Sequence, residues 1–123
     1  MSYADSSDVA ERLPGRSLSA TSKPKTTEID TWIGRIEARW NARLKWGGYT
    51  VPITGDESLK IMKDLVCERL VAMVELAIAL GNNAPAGNIF AMIRDVDKQV
   101  SDIAKEGRQG YQYLYDAGYA QPT

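Results

Sequence analysis

The stretch ESLKIMKDLVCERLVAMVELAIAL, residues 57 to 80, constrains the fold more than any other part of the chain. Leu59, Met62, Val66, Met73, Ala77 and Leu80 fall near one face of a helix, and Ile61, Leu65, Val74 and Ile78 widen that stripe. Glu68, Arg69 and Glu75 interrupt the run, so it is no membrane span. A helix this apolar around its girth must be enclosed by other helices or by a neighbouring subunit.

Two further segments can enclose it. TEIDTWIGRIEARWNARLKW, starting at Thr27, carries Ile29, Trp32, Ile33, Ile36, Trp40 and Leu44 as one apolar stripe. Its acids, Glu28 and Asp30, come early and its cations, Arg43 and Lys45, come late, as the helix dipole favours, and Gly47-Gly48 ends it. NIFAMIRDVDKQVSDIAKEG places Ile89, Met92 or Ile93, Val96, Val100 and Ile103 on one face, with Asn88 as its cap and Gly107 and Gly110 at its close. Ahead of these, DSSDVAERL predicts a short helix over 7–13, capped by Asp5, Ser6 or Ser7 and stopped by Pro14-Gly15. Residues 14–26 are a polar connector, and Leu18 is its anchor.

The segment YTVPITGDES alternates only weakly and contains Pro52, so it reads as an extended loop over about 46–56, with a two-stranded excursion as the alternative. Thr54 or Asp56 would cap the helix that follows. The expected architecture is all-α: a small bundle of one short and three longer helices with that loop and an extended tail. We divide the chain into a helical domain, 1–109, and a docking tail, 110–123. The expected core holds Ile29, Trp32, Ile33, Ile36, Leu65, Val66, Val74, Ile89, Ile93 and Val96.

Chemistry is harder to find. There is no histidine, which removes the commonest general base and metal ligand. The single cysteine, Cys67, sits in an apolar run and reads as a small buried hydrophobe in a reducing compartment. The carboxylates follow exposed helix faces, so neither a catalytic site nor a metal or cofactor site is expected. The opening, MSYADSSDVAERL, is polar and acidic where a secretory signal would be basic and then apolar. Net charge is −1, which disfavours nucleic-acid binding driven by bulk charge. The helix richest in arginine, with Arg35, Arg39 and Arg43, also carries Glu37 and two early acids, which reads as mixed in sign rather than as a basic track. Lys23, Lys25 and Lys45 are left as the candidate phosphate contacts, against the simpler reading of a solvated loop for the first two. Trp32 and Trp40 belong to the stripe; Trp46, at the helix end, is read as a plug of the bundle end or a subunit contact rather than a base-stacking residue.

MSYADSSDVAERL, followed after a polar link by IDTWIGRIEARWNARL, resembles the head–tail connector, or adaptor, proteins of tailed bacteriophages and prophages. The likeness covers residues 2 to 46 best. It implies a non-enzymatic virion protein, made in the bacterial host cytoplasm and placed in the neck between capsid and tail. Such a subunit forms a ring under the portal with the portal's twelve-fold symmetry. The ring extends the channel for double-stranded DNA, which passes without sequence-specific binding, and offers a surface to the downstream stopper or tail protein. A different neck or tail-completion protein, and a small helical regulatory binding module, are the alternatives.

The segment GYQYLYDAGYAQPT, residues 110–123, holds four of the six tyrosines. Tyrosine offers a large contact area with few torsions to freeze and a hydroxyl that finds partners. Either these side chains cover an end of their own bundle, or the segment leaves the body and docks on a partner. Adaptors of this kind anchor to the portal through such a segment, so the resemblance makes Tyr111, Tyr113, Leu114, Tyr115 and Tyr119 the portal-binding set.

Overall fold

The computed structural model describes residues 2–19 and 21–109. Four helices make up the body: α1 (Ser6–Glu11), α2 (Thr26–Trp46), α3 (Asp56–Gly81) and α4 (Gly87–Arg108). No strand occurs among the described residues, and the all-α expectation holds. Helices α3 and α4 form an antiparallel hairpin, α2 lies against both, and α1 bridges α2 and α3. The 47–55 connection is a loop that buries Tyr49 and Ile53.

The periodic stripes meet in one core. Ile29, Ile33, Ile36, Trp40 and Leu44 of α2 pack with Met62, Leu65, Val66, Leu70 and Val74 of α3 and with Val96, Val100 and Ile103 of α4. Trp32, Ile89 and Ile93, expected inside, are only half-buried. Trp32 lies at the edge of the α2–α3 seam, in a recess it shares with Arg35, Arg39, Arg69 and Met73. Ile89 and Ile93 belong to the start of α4, near the hairpin tip, where Leu80 is 58% exposed, Phe90 48% and Met92 51%.

Local chemistry sets the helix ends. Asp5 caps α1 in a reciprocal box, accepting the Asp8 N–H while Asp8 accepts the Asp5 N–H. Helix α2 begins after Lys25, whose N–H donates to Glu28 at 3.2 Å. It ends in a Schellman turn: Gly48 has φ 97°, its N–H donates to the Lys45 carbonyl, and the Tyr49 N–H reaches back to the Leu44 carbonyl. Asn83, at φ 53°, plays the same part after α3, with the Ala84 N–H donating to the Ala79 carbonyl at 2.8 Å. Two cap expectations fail. Gly55, at φ 102°, precedes α3 in place of Thr54 or Asp56, and Ala86 precedes α4, which puts Asn88 inside the first turn. Gly55 and Ala86, in the cap positions, make no side-chain cap bond, so the position itself carries no side-chain signal. Of Gly107 and Gly110, expected to close α4, Gly107 lies within its last turn and Gly110 outside the described residues.

That last turn crosses the end of α2 at very close range. A Cβ on Gly107 would lie 2.6 Å from the Tyr49 ring and 2.9 Å from the Gly47 carbonyl oxygen, and a Cβ on Gly47 would strike the backbone of Ala104. Glycine at both positions lets the two helices and the Tyr49 ring share one spot.

Candidate interaction surface

The surface is organised by one inward-facing acid. Glu37 is 6% exposed. It accepts from the Ser2 hydroxyl at 2.9 Å, the Tyr3 N–H at 2.7 Å and the Ala4 N–H at 3.2 Å. The Tyr3 hydroxyl donates to Asn41 at 2.6 Å and accepts from the Ile53 N–H at 2.8 Å, joining the first residues, α2 and the 47–55 loop. Burial pushes the Tyr3 phenol above its ordinary pKa. Residues 2–16 are thus a strap across the bundle. Lys63–Asp8, Arg12–Asp64 and Arg16–Glu75 ion pairs fasten it to α3. Sequence reading missed this anchor although a signal existed. Glu37 falls four residues after Ile33 and seven before Leu44, inside the apolar stripe.

With Glu37 turned inward, the opposite face of α2 changes character. Along α2, at 3.6 residues per turn, Trp32, Arg35, Arg39, Arg43 and Trp46 lie within an arc of about 80°. Arg35 and Arg39 share the recess beside Trp32, and Arg39 and Arg43 line a groove of about 470 Å³ between α2 and α4 with Trp46, Asp97 and Ser101. The Arg43 guanidinium lies 5.0 Å and that of Arg108 4.7 Å from the Trp46 ring centroid, and Arg108 also donates to the Trp46 carbonyl at 3.1 Å. The mixed-sign reading holds for the start of α2, where Glu28 and Asp30 are exposed, and is corrected for the rest: from residue 35 to 45 the exposed charges, Arg35, Arg39, Arg43 and Lys45, are all positive.

The lysines named from sequence are all exposed, but Lys25 and Lys45 stand at opposite ends of α2, about 30 Å apart along the axis. Lys23 lies with Lys25, so the three do not form one patch. Tyr111, Tyr113, Leu114, Tyr115 and Tyr119 fall outside the described residues. Cys67 is buried, and burial raises its thiol pKa. Among the described residues no three His, Cys, Asp or Glu side chains gather to hold a metal, and no helix is long and apolar enough to cross a membrane. A hollow of about 420 Å³ beside α1, α3 and α4 is lined by both signs, Arg12 with Glu68 and Asp95, around Val71 and Met92.

No known protein family, curated protein or solved structure matches this chain.

Proposed function

We propose that the chain is a structural head–tail connector subunit of a tailed-phage neck, forming a ring under the portal that extends the DNA channel. The resemblance of residues 2–46 supplies the class. The observation that carries the reading is the exposed apolar tip of the α3–α4 hairpin, where Leu80, Phe90 and Met92 lie outside a core that closes without them. A body with a complete core and large apolar side chains gathered at one end suits a subunit that meets its neighbours or the portal there.

The test is reconstitution with the portal protein encoded in the same genome. Negative-stain images should show an added ring with the portal's symmetry. A variant lacking residues 110–123 should keep its helicity and melting temperature but fail to attach. Portal particles that gain no density from the full chain would rule the connector role out.

A further inference from the structure

Arg35, Arg39 and Arg43 sit one turn apart, where like charges repel. Elsewhere six ion pairs take up Arg12, Arg16, Lys60, Lys63, Arg69 and Lys98. The three α2 arginines enter none of them among the described residues. Two acids lie nearby. Asp97, in the groove, is engaged by Arg69 at 3.0 Å. Glu28, on the same face of α2 but about 10 Å along the axis from Arg35, accepts the Lys25 N–H. Among the described residues no ion pair engages the row, and its side chains are exposed rather than part of the core.

We propose that this face of α2 is a contact surface for the phosphate backbone of duplex DNA. The row presents a guanidinium about every 6 Å over about 12 Å of helix. Each guanidinium is a planar fork suited to two phosphate oxygens. Gly34, Ala38 and Ala42 run along one side of it, all exposed, so that flank is clear of bulky side chains; Trp32 and Trp46 stand at the two ends of the row. The apolar side chains beneath, Trp40 and Val100, are buried, and the exposed one, Trp46, is already faced by guanidiniums. Trp46 already carries two guanidiniums, which makes it a holder of cations rather than a platform for an unstacked base, and this favours a paired duplex over a single strand. In a connector ring this face would turn toward the channel; only that placement rests on the connector reading.

The experiment is a titration of a fluorescent duplex of arbitrary sequence with the full chain, by anisotropy, between roughly 50 and 200 mM salt. Three phosphate contacts give a slope of log K against log salt of about −3, at about 0.9 per contact, with affinity weaker than micromolar at the upper salt. The Arg35→Gln/Arg39→Gln/Arg43→Gln variant should lose most of that slope, and Arg39→Gln alone should reduce it by about one. Lys23→Gln/Lys25→Gln should leave it unchanged. No anisotropy change at the lowest salt, or a full slope in the folded triple variant, would overturn the assignment. So would displacement of the duplex by polyglutamate as readily as by unlabelled DNA, which would assign the face to an acidic protein. Portal attachment of the triple variant is scored separately. The DNA contact can then fail while the connector role stands, and the reverse.

Discussion

Replacing a glycine by alanine within a helix normally stabilises it, by about 0.5–1 kcal/mol, because the unfolded chain loses freedom. Gly107→Ala should do the opposite. The added methyl would lie 2.6 Å from Cε2 and 3.0 Å from Cζ of Tyr49, and 2.9 Å from the Gly47 carbonyl oxygen. The ring is buried and the oxygen is backbone, so neither has room to yield cheaply. Overpacking of this kind costs about 1–3 kcal/mol, which leaves a net loss of about 1–2 kcal/mol after the propensity gain. For a domain of this size that is a fall in Tm of about 4–8 °C. Gly34→Ala is the internal control: it is exposed in mid-α2 and a Cβ there meets nothing within 4 Å. It should raise Tm by a few degrees. Thermal unfolding followed by circular dichroism reads both. If Gly107→Ala raised Tm as Gly34→Ala does, the close crossing of α2 and α4 would be wrong.

Glu37→Ala leaves two buried N–H groups, of Tyr3 and Ala4, without their acceptor, and should cost about 2–4 kcal/mol at 1–3 per group with partial water entry, seen as a lower urea midpoint; an unchanged midpoint would mean the strap adds nothing. Tyr3 has a raised pKa, so its neutral form is the one the fold favours, and its contribution is full below the unfolded value near 10 and lost as pH rises through the folded one. The stability gap between the wild type and Tyr3→Phe should therefore be constant at neutral pH and narrow above about pH 10; a gap independent of pH would count against burial of that phenol. Ile36→Ala should cost about 2–4 kcal/mol, and Trp32→Ala distinctly less because the indole is half-exposed; equal losses would refute the edge position of Trp32.

The fold class was legible because three long segments kept a helical period, and their stripes did become the core. The errors have physical causes. Ile89, Ile93 and Trp32 satisfy the period but sit at a hairpin tip and a seam edge, and period alone does not say where a neighbouring helix stops covering a stripe. The starts of α3 and α4 use glycine and alanine where side-chain caps were expected, so no residue marks them. Tyr3 could not be read as an anchor, since its partners Asn41 and Ile53 are 38 and 50 residues away. Glu37 was legible, from its phase within the stripe, and missing it hid the arginine face. A count of charges along α2 gives a mixed helix. Placed by angle, the charges from residue 35 to 45 give an acid inside and a row of cations outside, while the early acids, Glu28 and Asp30, stay exposed.

That separation bears on how a near-neutral protein could attend to DNA. Net charge of −1 gives no long-range pull on a polyanion, and three arginines per copy, contacting phosphate as proposed, would give an affinity that physiological salt largely erases. Both properties would suit a subunit that stays off DNA until it is assembled into the proposed ring. In the proposed ring the same short row recurs in each copy around one duplex. Each further contact is then made at the effective concentration set by the ring rather than by the bulk solution. Weak single contacts also exchange quickly, so a duplex held by many of them still moves. A stronger track, built from more cations or a lower density of nearby acids, would bind free subunits to DNA and slow its passage. On the proposed connector reading, the modest length of the arginine row is consistent with a channel surface rather than a DNA-binding domain.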